Sequence, residues 1–104
     1  MKQWTVSLST QAEKDLDQTF DYIAFTLLEP NTASKQVSRI RDSVLRLDQF
    51  PERCPLVRIE PWQSQGLRYL VIDNYLALYK AILKSKTVSI VTIVYGARNL
   101  SDLL

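Results

Sequence analysis

Residues 66–95, GLRYLVIDNYLALYKAILKSKTVSIVTIVY, contain three stretches of strand-forming sequence separated by two short turns. Apolar, aromatic and β-branched residues dominate each stretch, which predicts strands at Gly66–Ile72, Tyr75–Ile82 and Thr87–Tyr95. Both intervening turns are short enough to connect neighbouring strands directly, so we expect an antiparallel meander. The third stretch is apolar on both faces and is therefore expected in the middle of the sheet, with Gly96 ending it.

The residues before this region predict one strand and two helices. Residues 3–9 alternate between apolar and polar side chains, as a half-buried strand does. The sequence Thr10-Gln11-Ala12-Glu13 is typical of a capping box that opens a helix. Apolar residues then recur every three or four positions and predict one buried face, formed by Ala12, Leu16, Phe20, Ile23 and Leu27.

A second helix is predicted after Pro30, which should end the first helix, with Asn31 as its N-cap. Its apolar face is formed by Ala33, Val37, Ile40, Val44 and Leu47. The helix should end before Pro51, and residues 51–66 are expected to form a loop with a short extended piece at Leu56–Glu60. Because only about three residues join the helices, they should pack as an antiparallel hairpin.

This order of elements predicts a two-layer α+β domain that spans residues 1–104. The antiparallel sheet should pack on the antiparallel helix hairpin, with the first strand at an edge or beside the last strand. Tyr79 is expected to pack in the core between the layers.

The composition excludes several classes of site. The chain has 104 residues, enough for one domain with its own core. It has no histidine, one cysteine and two glycines. These counts exclude Ser-His-Asp triads, Cys-His pairs, nearly all catalytic zinc sites and glycine-rich nucleotide loops. We therefore expect neither a metal nor a cofactor.

The apolar runs and the single cysteine indicate a cytoplasmic protein. Residues 1–5 lack the apolar core of a signal peptide. The longest strongly apolar run, Val88–Tyr95, is far shorter than a membrane span, so no membrane partner is expected. Cys54 has no second cysteine to pair with, which agrees with a reducing compartment.

Charge is distributed unevenly along the chain. The net charge is +2, but residues 1–30 contain two lysines and five carboxylates, so the first helix is acidic and the rest of the chain basic. This leaves open an ordinary solvated surface or a modest attraction of phosphates to the sheet. On the second helix, Arg39, Asp42 and Arg46 have the spacing of intrahelical ion pairs, with a phosphate-binding stripe as the alternative.

Several segments together resemble toxins of the RelE/ParE superfamily of bacterial type II toxin–antitoxin systems. They are Tyr22-Ile23, Phe50-Pro51-Glu52, Leu67-Arg68-Tyr69-Leu70, Asn74-Tyr75-Leu76-Ala77-Leu78-Tyr79 and Val94-Tyr95-Gly96-Ala97-Arg98-Asn99. The resemblance covers essentially the whole chain and implies the same fold. A strand holding Tyr-x-x-x-Tyr, followed by a strand that ends in Gly-Ala-Arg, is similar to the ParE branch.

The resemblance implies a toxin that arrests bacterial growth and is neutralised by a cognate antitoxin. ParE-like members poison DNA gyrase, whereas RelE-like members cleave messenger RNA on the ribosome. Leu76 occupies the position of the catalytic arginine of RelE-like nucleases, so gyrase is the favoured target and enzymatic activity is not expected. Two alternatives remain: a RelE-like ribosome-dependent endoribonuclease, and a non-toxic partner of an antitoxin.

Candidate residues follow from this resemblance and from the patterns above. Target binding is assigned to Arg68, Tyr95 and Arg98, and a nuclease would use these three and Lys80. The structural alternative for Arg98 is an ion pair with Asp102. Antitoxin binding is assigned to apolar residues that lie off the buried helix faces: Tyr22, Phe25 and Leu28 on the first helix and Leu45 on the second.

Overall fold

The computed structural model describes residues 3–96 and contains two helices and four strands. In chain order they are β1 (Thr5–Leu8), α1 (Thr10–Asp21), α2 (Pro30–Leu45), β2 (Arg68–Ile72), β3 (Tyr75–Ile82) and β4 (Thr87–Tyr95). A π-helical turn, Tyr22–Thr26, extends α1, and short 3₁₀ turns at Arg46–Asp48 and Pro51–Arg53 follow α2. Across residues 3–96, neither helix is long and apolar enough to cross a lipid bilayer.

The four strands form one sheet in the order β1-β4-β3-β2. The predicted α+β class is confirmed, and β2, β3 and β4 form the expected antiparallel meander. The first strand lies at an edge beside the last, but it pairs in parallel, from Thr5 opposite Thr87 to Leu8 opposite Ile90. The sheet is therefore mixed rather than purely antiparallel. No short turn fixes the direction of β1, so its periodicity alone could not specify it.

The core lies between the helices and one face of the sheet. Leu16, Ile40 and Val44 from the helices pack against Tyr79 and Ile90, so the expected core position of Tyr79 is confirmed. A smaller cluster on the other face joins Val57, Leu67 and Leu78 under the chain that leads into β2. Both faces of the central strands are thereby covered, as the apolar sequence of β4 predicts.

Both helices begin earlier than their predicted caps imply, α1 by one residue and α2 by two. Ser9, not Thr10, is the N-cap of α1, and its Oγ accepts a hydrogen bond of 3.0 Å from the Ala12 N–H. Pro30 opens α2 after Glu29, so the proposed cap at Asn31 is wrong. Proline is favoured in the first turn of a helix because its missing N–H would have had no helical partner there.

The π-helical turn corrects the predicted buried face of the first helix. Leu27 donates its N–H to the Tyr22 carbonyl, five residues back, instead of four. This wider turn contains one extra residue, so the side chains that follow lie at a different angle around the helix axis than in a regular α-helix. Leu27 consequently lies exposed, whereas Ile23, at the start of the turn, stays buried as predicted.

The Arg39 guanidinium reaches the β2–β3 turn instead of Asp42 on its own helix. It donates two hydrogen bonds, of 2.7 and 2.9 Å, to the Asp73 carboxylate, which also accepts one from Gln36. The predicted pairing with Asp42 is therefore wrong for Arg39. The hydrogen bonds from Arg39 hold the pKa of Asp73 below its ordinary value.

Candidate functional site

A cleft of about 580 Å³ opens between the first helix and the C-terminal half of β4. It exists because β1 ends at Leu8, whereas β4 continues to Tyr95. Beyond Ser9 the chain leaves the sheet as α1, so the last residues of β4 face a helix and open space instead of another strand. The lining residues are Asp15, Gln18, Thr19, Tyr22, Ile23, Leu27, Thr32, Tyr75, Ile93 and Tyr95.

In the part of β4 that β1 does not reach, the Asp15 carboxylate accepts hydrogen bonds that a neighbouring strand would otherwise accept. It accepts a hydrogen bond of 2.8 Å from the Ile93 N–H and one of 2.6 Å from the Thr92 hydroxyl. Its other oxygen accepts a hydrogen bond of 2.8 Å from the Gln11 side chain. A register shift between Leu78 and Tyr79 in the β3–β4 pairing precedes this region of β4. All three donors to Asp15 are uncharged.

Two tyrosine rings form the sheet side of the cleft. Tyr75 and Tyr95 are opposite each other on β3 and β4, and their rings meet edge to face, with centroids 5.3 Å apart and planes at 71°. Tyr95 is 69% exposed, whereas Tyr75 is buried. Burial, and to a smaller extent the nearby Tyr95, Asp73 and Tyr22, raise the pKa of Tyr75 above its ordinary value, so this phenol stays neutral at physiological pH.

An exposed apolar ridge borders the cleft. We give this name to Tyr22, Phe25 and Leu28, which are 56%, 71% and 76% exposed on and just after the π-helical turn. Exposed Leu27 also lines the cleft, and Tyr22 belongs to both the ridge and the cleft. Leu28 has a φ of 58°, a left-handed conformation that is unfavourable for a residue with a Cβ.

The structure therefore brings together three of the four residues assigned to antitoxin binding. Leu45 is also exposed, but it ends α2, fifteen residues after the helix begins at Pro30. That distance along the helix axis is about 22 Å. Leu45 accordingly lies at the other end of the helix hairpin from the apolar ridge.

The residues assigned to target binding or catalysis do not converge. Arg68 is opposite Tyr79 and donates a hydrogen bond to the Cys54 carbonyl on the helix side of the sheet. Lys80 follows Tyr79 in β3 and lies on the other face, because successive side chains of a strand alternate. Tyr95 is opposite Tyr75, about 13 Å from Tyr79 along β3. Arg98 and Asp102 lie outside the described residues.

Leu76 is buried, with 1% of its surface exposed. The side chain at the position where the resemblance places a nuclease arginine is therefore part of the interior. Among residues 3–96, no group of three or more cysteine and carboxylate side chains is placed to hold a metal ion.

Sequence reasoning did not identify the cleft or Asp15. The carboxylate follows no recognisable motif, and its contact with β4 depends on where β1 ends. Asp15 directly precedes the buried Leu16 and is partly buried itself. The only available signal was an acidic residue at the border of the apolar helix face.

Comparison with known proteins gives a family and a fold. The family model described as the ParE toxin of the type II toxin–antitoxin system parDE matches residues 6–100. A chain of the chromosomal ParDE toxin–antitoxin system of P. aeruginosa is 24% identical, with 92% of this chain and 99% of that chain covered and a TM-score of 0.74. None of the curated protein sequences compared with the chain matches it.

A second similar structure belongs to the RelBE2 toxin–antitoxin complex of Mycobacterium tuberculosis. The identity is 22%, 93% of this chain and 95% of that chain are covered, and the TM-score is 0.67. At these identities, the two structures establish the fold that the chain shares with them.

Proposed function

The chain belongs to the ParE toxin family of type II toxin–antitoxin systems, and from this premise we propose that it arrests bacterial growth by acting on DNA gyrase and is neutralised by a cognate antitoxin. The observation that carries the choice of target is the placement of Leu76. A ribonuclease of the RelE type needs basic groups around one phosphate to stabilise the charge of the transition state. Here the matching position is an interior leucine.

The positions of Arg68, Lys80 and Tyr95 support the same choice. Arg68 is held by the Cys54 carbonyl, Lys80 lies on the opposite face of the sheet, and Tyr95 lies near the other end of β3. No single phosphate could contact all three side chains. We assign target binding to Tyr95, at the mouth of the cleft, and, from the sequence, to Arg68 and Arg98.

We assign the antitoxin to the apolar ridge. Both similar structures are titled as toxin–antitoxin assemblies. Three large apolar side chains that adjoin one another and are each more than half exposed are typical of a protein-binding surface. An amphipathic helix or an extended segment of the antitoxin would bury them and the neighbouring Leu27. Leu45 would contact a more distant part of the same partner.

Coexpression with the neighbouring antitoxin gene tests the antitoxin surface. We expect Phe25→Asp to weaken the copurifying complex at least about 30-fold, the effect of losing about 2 kcal/mol at a binding hot spot. Leu83→Asp is the matched control, because Leu83 is similarly exposed in the β3–β4 turn, away from the ridge. Equal retention of the complex by both variants would remove the ridge from the interface.

The cellular target is tested by inducing the chain without the antitoxin and following plasmid topology. Loss of negative supercoiling or accumulation of cleaved plasmid before any fall in messenger RNA length is the expected result. Shortened messages with normal plasmid supercoiling would instead favour the ribosome-dependent nuclease. Normal growth of the induced cells would favour a non-toxic partner of the antitoxin.

A further inference from the structure

The cleft next to the apolar ridge combines three aromatic rings with one carboxylate. Tyr75 and Tyr95 present ring planes at 71° to each other, and Tyr22 contributes a third ring from the helix side. In an edge-to-face pair the edge of one ring covers a face of the other, and the faces of the edge-on ring remain free. The negative faces of such rings attract a cation placed within about 6 Å of their centroids.

The cleft contains an acidic side chain, which would attract a cation. Asp15 is the only aspartate, glutamate, lysine or arginine that lines the cleft within the described part of the chain. Its hydrogen-bond donors are an amide, a hydroxyl and a backbone N–H, so its negative charge is not neutralised by them. The rest of α1 adds Glu13, Asp17 and Asp21 against one lysine.

From this geometry we infer that the cleft receives a guanidinium group, supplied by an arginine side chain of the antitoxin segment that covers the apolar ridge. This inference rests on the proposed function and adds the chemistry of one partner residue. The acidic first helix, and Asp15 with no positively charged donor among its hydrogen-bond partners, would attract a positive side chain. Tyr22 belongs to both ridge and cleft, so one partner segment can contact both.

Arginine fits the cleft better than lysine for a physical reason. A guanidinium is planar and weakly hydrated, so it can stack on a ring face while its N–H groups remain free to donate. Gln18 and Thr19 line the cleft together with the three tyrosines, and each of these side chains has an oxygen that can accept a hydrogen bond. A lysine ammonium would present one compact charge and would have to lose more water.

The direct test is a titration of the free chain, with its tyrosine rings isotopically labelled, by Nα-acetyl-arginine amide. We expect NMR shift changes at Tyr22, Tyr75 and Tyr95. Tyr69 packs in the cluster on the other face of the sheet and serves as the internal reference. Nα-acetyl-citrulline amide has the same shape without the charge and should bind at least about tenfold more weakly. Equal binding of the two probes would overturn the inference, and tighter binding of Nα-acetyl-lysine amide would overturn the choice of guanidinium.

Variants separate the cleft from general effects of charge. Asp15→Asn keeps an oxygen that can accept from the Ile93 N–H but removes the charge, so it should weaken arginine-amide binding about tenfold. Asp17→Asn makes the same change of charge on α1 outside the cleft and should leave the binding unchanged. Tyr95→Leu removes an exposed ring and should also weaken binding, with thermal unfolding showing whether each variant is folded. Equal effects of Asp15→Asn and Asp17→Asn would contradict the inference.

Affinity for the antitoxin then distinguishes this inference from the proposed function. If the antitoxin binds tightly and Asp15→Asn and Tyr95→Leu do not weaken it, the cleft inference is wrong and the toxin–antitoxin assignment stands. If arginine amide binds the cleft but no antitoxin binds the chain, the proposed partner is wrong. In a last variant, Arg98 is replaced by alanine. If Arg98→Ala binds arginine amide and the unmodified chain does not, the chain's own arginine fills the cleft, and the partner assignment is wrong.

Discussion

At the scale of single residues, Tyr79 connects the sheet to the segment that follows the helices. Its ring is fully buried, and its hydroxyl donates a hydrogen bond to the Pro51 carbonyl. Burial, followed by the interaction with Cys54, raises the pKa of Tyr79 above its ordinary value. The folded chain therefore keeps this phenol neutral under conditions in which the unfolded chain would ionise it.

We expect Tyr79→Phe to lower the free energy of unfolding by about 1–3 kcal/mol at pH 7, because the buried Pro51 carbonyl loses its donor. The wild-type chain should also lose stability as the pH rises above about 10, where unfolding releases the Tyr79 proton. Tyr79→Phe should show a shallower alkaline loss. Urea unfolding at pH 7 and pH 11 measures both effects, with the exposed Tyr95→Phe as the control. Identical alkaline slopes in all three chains would contradict this account of Tyr79.

Leu28 combines an unfavourable backbone conformation with an exposed apolar side chain. Its φ of 58° favours glycine, yet a large apolar side chain occupies the position and is exposed. An unfavourable backbone conformation with an exposed apolar side chain is a reason to look for a binding role. Because this exposed side chain contributes little to the stability of the folded chain, we expect it to contact a partner.

We expect Leu28→Gly to leave the free energy of unfolding unchanged or raise it by up to about 1 kcal/mol, since glycine adopts positive φ without strain. The same variant should weaken antitoxin binding. Leu28→Ala is the matched control, because it removes most of the side chain but keeps the Cβ. It should weaken binding similarly and be less stable than Leu28→Gly. Unimpaired antitoxin binding by both variants would exclude Leu28 from the interface.

At the scale of elements, Ser9 fixes the point where the chain leaves the sheet. Its Oγ accepts from the Ala12 N–H and donates to the Val91 carbonyl at 2.7 Å. One side chain thus starts α1 and attaches it to β4, just before the segment of β4 that Asp15 contacts. The cleft depends on this junction, because the first turns of α1 carry Asp15 and Gln18.

We expect Ser9→Ala to lower stability by about 1–2 kcal/mol, the usual cost of losing an N-cap. A change of 1 kcal/mol corresponds to a melting temperature lower by about 4–8 °C in a domain of this size. Thr10→Ala changes the residue that the capping-box pattern favoured and should have little effect, since Thr10 is exposed and does not cap the helix. Thermal unfolding of both variants decides between the two caps, and a larger loss for Thr10→Ala would contradict the structure.

The elements themselves were predictable where one local rule sufficed. Periodicity and turn residues gave the bounds of β3 and β4 as the structure has them. The errors lie where two rules compete. Pro30 can end one helix or open another, and only the packing of the hairpin decides between these roles. The π-helical turn, which exposes Leu27, has no sequence signature of its own.

At the scale of the whole molecule, the candidate site exists because β1 is shorter than the strand β4 that it pairs with. The parallel strand β1 covers only the first half of β4, and the helix that follows it cannot continue the sheet. Sequence reasoning identified the apolar ridge, because Tyr22, Phe25 and Leu28 break the period of the buried face. It could not identify the cleft, because Asp15, Tyr75 and Tyr95 come from three separate elements and meet only after folding.

We propose that this member of the ParE toxin family acts on DNA gyrase and not on messenger RNA. The most direct measurement titrates the purified chain into DNA gyrase with relaxed plasmid and ATP, and in parallel into translating ribosomes. We expect supercoiling to cease, or cleaved plasmid to accumulate, at amounts of chain comparable to gyrase, with the message intact and the effect reversed by the antitoxin. Ribosome-dependent cleavage of the message at substoichiometric amounts of chain, with supercoiling unaffected, would contradict the account.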